Sequence, residues 1–187
     1  MQYSNFDSIY RPISKLGFGL MRLPKVSDDS EVIDRDEAFR LIDLAMEAGV
    51  NYYDTAFFYH GGDSEKFACE ALSRYPRESF CLATKLPGGH MKDHKITPEE
   101  IFNGQLKKCG VDYFDFYLFH ALNRDSWKKV IDFGLIDKMK QAKAEEIPLG
   151  AKIVGICSSV TENVIYNGMK PYEALEIIKY NRSFSPA

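Results

Sequence analysis

Four side chains able to hold or move a proton cluster at the ends of strand-like runs: Asp54, Lys85 and His120, with Tyr59 five residues beyond the first. Asp54 sits at the C-terminal tip of the β-branched and aromatic run Val50–Thr55, Lys85 ends Phe80–Lys85, and His120 ends Tyr113–His120. In parallel α/β folds the C-terminal strand ends are where reacting groups converge. A tyrosine hydroxyl, with an ordinary pKa of about 10, is a weak acid at neutral pH. An ammonium such as that of Lys85 placed beside Tyr59 would favour the phenolate and ease proton donation. Asp54 would keep the ammonium charged and oriented, since an unpaired one in a dry cleft is costly. His120 can give a hydrogen bond to a substrate oxygen. Together they form a proton-donating site for a carbonyl oxygen that gains negative charge, and such a site needs a partner delivering hydride to carbon. Each residue alone has an ordinary structural role: helix cap, half-buried aromatic, snorkelling lysine, satisfied core histidine. The chemical interpretation rests on all four meeting at successive strand ends.

The elements that must position these groups read as a βα repeat. Strands are expected over Val50–Thr55, Phe80–Lys85, Tyr113–His120 and Lys152–Cys157, recurring every ~30 to 40 residues with a helix in each gap, the pattern of a parallel sheet. Asp34 and Glu37 open a first helix with the stripe Ala38, Leu41, Ile42 and Ala45, and Gly49 stops it. Ser64 is the expected cap of a second, with Phe67, Ala68, Ala71 and Leu72 inward and Pro76 closing it. Thr97-Pro-Glu-Glu100 opens a third, which runs through Phe102, Leu106 and Cys109 to Gly110. Trp127 is placed in the loop after His120, followed by a helix from Asp132 to Glu145 and a last one from Pro171. Residues 1–12 are expected to be irregular. Ile13–Pro24 reads as extended chain with a bend at Gly17 and Gly19. It is either a small hairpin closing the bottom of the core or a backbone approach to a ligand near Gly19, Met21 and Arg22.

Composition narrows the partners. The 187 residues suit a single domain spanning residues 1–187, without a linker or low-complexity segment. Apolar residues make up 45% and charged ones 27%, and the net charge of −3 gives no basic footprint for nucleic acid. Cys69, Cys81, Cys109 and Cys157 lack Cys-x-x-Cys spacing and fit reduced thiols in a cytoplasmic protein. No apolar run reaches membrane-spanning length and the N-terminus lacks a signal-peptide core, so no membrane partner is expected. His90 and His94 lie four apart, but Gly88-Gly89 breaks any helix there and no third ligand is evident, so no metal is expected.

The same residues carry a resemblance. Asp54-Thr-Ala-Phe-Phe-Tyr59, Ala83-Thr-Lys85 and Leu118-Phe-His120 resemble the tetrad motifs of the aldo-keto reductase family. Gly17-Phe-Gly-Leu-Met-Arg-Leu-Pro24 and Gly49-Val-Asn-Tyr-Tyr-Asp54 resemble its N-terminal signatures. His120 to Trp127 is similar to a bacterial branch whose longer members carry a C-terminal ferredoxin-like part; no Cys-rich tail follows here, so no iron–sulfur cluster is expected. The resemblance runs from Ile13 to Cys157. It implies a (β/α)8 TIM-type barrel, NADPH as cofactor, and reduction of an aldehyde or ketone. By position Tyr59 is the proton donor, Lys85 and Asp54 tune it, and His120 orients the carbonyl. Gly19, Met21, Arg22, Asp54 and Ser158 fall in the cofactor cradle; Val154-Gly-Ile-Cys-Ser158 resembles the motif at the fourth strand's end, where relatives usually show serine in place of Cys157.

A barrel of this kind has eight strands and roughly 250 residues, and four strands are legible here, a half-barrel. Three functions stay open: an NADPH-dependent oxidoreductase (with a pair of half-barrels as one assembly), a catalytically silent module that binds a nucleotide or partner, and a truncated member without activity. A homodimer, pairing the free edges at the Asn51 and Lys152 strands, is the assembly that would restore eight strands.

Overall fold

A computed structural model describes residues 1–5, 11–87, 97–121, 124–132, 134 and 151–156. Five strands run parallel in the order β3 (Phe18–Gly19), β4 (Tyr52–Asp54), β5 (Cys81–Leu86), β6 (Phe114–Phe119) and β7 (Ala151–Ile156). A separate antiparallel pair joins β1 (Tyr3–Ser4) to β2 (Ile13–Ser14). The expected four-stranded count is therefore one short. The missed strand is β3, two residues long, too short for any alternation to show. Its presence moves the sheet edge away from the Asn51 strand: β3 and β7 are the outer strands of the five.

The hairpin is also relocated. Ile13–Ser14 pairs with Tyr3–Ser4, inside the stretch expected to be irregular, while Phe18–Gly19 joins the parallel sheet. Asn51 fixes the hairpin to the sheet: its Oδ1 accepts from Ser14 N at 2.8 Å and its Nδ2 donates to Pro12 O at 2.9 Å.

Helix α1 (Arg35–Glu47) starts where Asp34 accepts a hydrogen bond from Glu37 N, and it buries Ala38, Ile42 and Ala45. Helix α3 (Pro98–Cys109) carries the full capping box between Thr97 and Glu100 with Pro98 in the first turn. It ends at Gly110, whose φ of +61° is the left-handed conformation that glycine adopts without cost. Helix α2 (Ser64–Leu72) departs from expectation at its start: Asp63 is the N-cap, and the Ser64 hydroxyl points into the core. Helix α4 spans Arg124–Asp132, so Trp127 is helical rather than in a loop. Asp132, expected to begin a helix, ends one; residues 135–145 lie outside the described residues, as do His90, His94 and the helix expected from Pro171.

Side chains alternate across the sheet. Tyr53, Leu82, Tyr117 and Phe119 face the helices and join the apolar stripes of α1, α2 and α3 in one cluster. Each large side chain buried there contributes ~1.5 to 3 kcal/mol. On the opposite face Tyr52, Cys81 and Phe116 gather around Ile13 of β2, with the Tyr52 and Phe116 rings edge to face at 5.0 Å. The hairpin thus covers the N-terminal end of this second face. Its C-terminal end is where Asp54 and Lys85 project.

Candidate active site

Register fixes the placement. Gly19 pairs with Asp54, Asp54 with Ala83, and Lys85 with Leu118, while His120 N donates to Leu86 O at 2.9 Å. With a period of two, Asp54, Lys85 and His120 rise from one face at one end of the sheet. Tyr59 enters from the turn Tyr59–Gly62 that follows β4.

Lys85 is the centre of the group, its side chain only 3% exposed. Its Nζ donates to Asp54 Oδ1 and, at 2.8 Å, to Thr55 O. The same ammonium lies 4.8 Å from the centroid of the Tyr59 ring. Tyr59 in turn meets the His120 ring edge to face, centroids 5.7 Å apart at 86°. All four expected residues come together, and the cation sits between the acid and the phenol. The buried ammonium is thus paired with a carboxylate and a backbone carbonyl.

Beside this group lies the Leu20–Arg22 turn. Leu20 is fully buried and anchors it, while Met21 is 55% exposed and Arg22 is exposed. Gly19 has an extended backbone (φ −93°), which any residue could adopt, and a Cβ built on it would meet no atom within 4 Å. Neither conformation nor packing among the described residues calls for glycine there. The open space lies next to Asp54 at the strand tips. Ser158 lies outside the described residues.

The sequence reasoning missed the groups behind the site. Glu65, fully buried in α2, accepts from Thr84 Oγ1 at 2.8 Å and Gln105 Nε2 at 2.6 Å, with Lys108 Nζ at 3.4 Å. Gln105 Nε2 also donates to Lys85 O at 3.0 Å and its Oε1 accepts from Tyr117 Oη at 2.7 Å. Burial, with the Glu65 charge adding to it, pushes the Tyr117 hydroxyl and the Cys109 thiol well above their ordinary pKa values. The available signal was a glutamate and a glutamine lying within otherwise apolar helix stripes. His60, Ser64 and Thr55 were missed as well: Ser64 Oγ donates to Leu20 O at 3.1 Å and shares a 2.8 Å hydrogen bond with Thr55 Oγ1. Among the described residues no group of acids, histidines and cysteines could hold a metal ion, and no helix is long and apolar enough to cross a membrane.

Residues 15–148 match the Aldo/keto reductase family. The chain belongs to that family. An aldo-keto reductase of Mycolicibacterium smegmatis is 29% identical over 149 residues, 76% of this chain and 47% of that protein. The holo form of the aldo-keto reductase AKR11C1 from Bacillus halodurans superposes with a TM-score of 0.65 at 27% identity, covering 87% of this chain and 52% of that one. An aldo-keto reductase from Klebsiella pneumoniae in complex with NADPH shares the fold at TM-score 0.55 and 18% identity, covering 81% of this chain and 48% of that one. This aldo/keto reductase chain spans about half the length of the relatives it matches. Its parallel sheet and flanking helices are the corresponding part of a TIM barrel.

Proposed function

We propose that this chain carries the proton-handling part of an NADPH-dependent oxidoreductase that reduces an aldehyde or ketone to an alcohol. The observation that carries it is the Lys85 ammonium, buried, joined to Asp54 and Thr55 O, and lying against the Tyr59 ring. Structural lysines seldom sit this deep, because the charge must be desolvated. Here the charge lies over the ring of a tyrosine, which supports a role in tuning its phenol. When a substrate carbonyl oxygen gathers negative charge, Tyr59 Oη donates its proton to it. The Lys85 charge then stabilises the oxygen left behind, Asp54 holds Lys85 in place, and a His120 ring N–H directs the carbonyl.

Gly19, Met21, Arg22 and Asp54 fit a cofactor cradle, since the space beside Gly19 is open and the Met21 and Arg22 side chains are exposed; Ser158 is proposed with them. NADPH, when bound, supplies the hydride. The carbonyl compound is a small molecule. We also infer self-association through the outer strands β3 and β7.

The test is NADPH titration of the purified chain by tyrosine and Trp127 fluorescence, followed by turnover of simple aldehydes. Binding with turnover supports the proposal. Binding without turnover favours the silent nucleotide-binding module instead, and absence of both refutes the cofactor assignment.

A further inference from the structure

We infer that His60 is a positioning residue whose ring sets the turn carrying Tyr59 against the segment carrying Gly19, Met21 and Arg22. The inference rests on the roles proposed above for Tyr59 and for that segment. His60 is buried, 7% exposed, and adopts φ 52° and ψ 50°. That left-handed conformation is uncommon for a residue with a side chain and persists where surroundings hold it. Two glycines follow with φ of 60° and 94°, so the backbone turns sharply directly after Tyr59.

The ring shows what holds it. Leu23 N–H donates to Nε2 at 3.2 Å. Nε2 therefore carries the lone pair and Nδ1 the hydrogen, and Nδ1 lies 3.3 Å from Glu31 O, to which it donates. Leu23 directly follows the Leu20–Arg22 turn, and Glu31 lies across the strap closed by the Lys25–Ile33 bridge. One imidazole thus ties the Tyr59 turn to both sides of that strap. Leu23 is itself buried, so its N–H has the ring as partner where water is scarce. The neighbouring Ser64 hydroxyl holds Leu20 O from the same side. A histidine that only filled space would not need both nitrogens matched to backbone groups of another segment.

Three variants separate the parts. His60→Gly keeps the positive φ at no steric cost and removes the ring. His60→Gln returns an amide oxygen near the Nε2 position, able to accept from Leu23 N–H. His60→Asn returns an amide near Nδ1, able to reach Glu31 O alone. Hydrogen exchange is measured on the full chain without ligand, and NADPH binding by fluorescence titration. Expected in His60→Gly is exchange at Leu23 and across residues 20–33 faster by about tenfold, with α3 and β5 unchanged. The NADPH Kd should weaken by about tenfold, and His60→Gln should return most of both.

Wild-type exchange at Leu23 in His60→Gly overturns the inference. So does faster exchange spread through α1 and α3, which would make His60 a support of the whole fold. If the glycine variant does not fold, slow exchange at Leu23 in His60→Gln beside fast exchange in His60→Asn supports the role, and equal rates overturn it. Should the wild-type chain bind no NADPH, the cofactor assignment fails, and the exchange pattern by itself still decides whether His60 fixes the two segments.

Discussion

Replacing Lys85 by methionine removes a cation that touches both Asp54 and Tyr59. The side chain is 3% exposed and its partner Asp54 27% exposed, so the two sides of the pair respond differently. Removing one member of a fully buried pair costs ~3 to 5 kcal/mol, because the other charge is left unpaired. Asp54 is open enough to recover water, and the methionine stem refills most of the apolar path of the lysine. Thr55 O, in contrast, is buried and loses its donor. The expected net loss is therefore lower, ~1 to 3 kcal/mol. For a chain of this size that lowers Tm by ~2 to 4 °C per kcal/mol. Activity should fall much further, by ~10² to 10⁴, the usual value of assisted proton transfer. Asp54→Asn should cost less, since Asp54 acts through Lys85. If the pair acts as a unit, the double variant will be no slower than Lys85→Met. Thermal unfolding followed by circular dichroism, with turnover on the same samples, reads both effects. Wild-type turnover in Lys85→Met refutes the chemical role even if the melting point falls; an unchanged melting point refutes the structural one.

Tyr59→Phe removes one hydroxyl at constant shape, so carbonyl reduction should be lost while the NADPH Kd stays within about twofold; retained turnover would reassign the proton donor. Hydrogen bonds from Arg74 and Tyr75 hold the Asp43 carboxyl below its ordinary range. Its folded pKa thus lies below the unfolded value, so its stabilisation is present above about pH 4 and lost as pH falls through the folded value. Asp43→Asn should therefore narrow the stability difference between neutral and acidic solution, read by urea unfolding at both, and an identical pH dependence would count against it. Because β3 and β7 bound the described sheet, sedimentation at micromolar concentration should show a dimer, and a well-folded monomer would show that these edges are covered.

The parts of this molecule legible in its sequence are those governed by short-range rules. Asp54, Lys85 and His120 could be placed at strand ends because each closes a run whose side-chain pattern is set by the strand itself. Thr97 and Glu100 declared a helix start because both halves of the cap lie within four residues. Helix α4 escaped notice because the charged run Arg124-Asp-Ser-Trp-Lys-Lys129 shows no apolar stripe. β3 escaped because two residues make no period. His60 bonds to residues 37 and 29 positions earlier. Glu65 and Gln105 satisfy one another across 40 positions. No local pattern announces such partners, and a buried carboxylate on an otherwise apolar stripe looks from sequence like an error in the stripe.

Those long-range bonds converge on one turn of helix. Asp63 pairs with Arg35 of α1 at 2.9 Å, Ser64 holds Leu20 O and Thr55, and Glu65 holds Thr84 and Gln105. Three consecutive residues thus reach the first helix, the Leu20–Arg22 turn, the ends of β4 and β5, and α3. The Tyr59 turn runs directly into them, with Phe67 N bonded to Asp63 O and Asp63 N to His60 O. Lys85 is therefore held from two sides: by Asp54 and Thr55 O at its ammonium, and by Gln105 at its carbonyl. In the proposed reaction, a lysine anchored at its ammonium and at its backbone would keep its charge at a set distance from the phenol. The start of α2, which carries none of the four residues proposed to react, is consequently an element that braces them from behind.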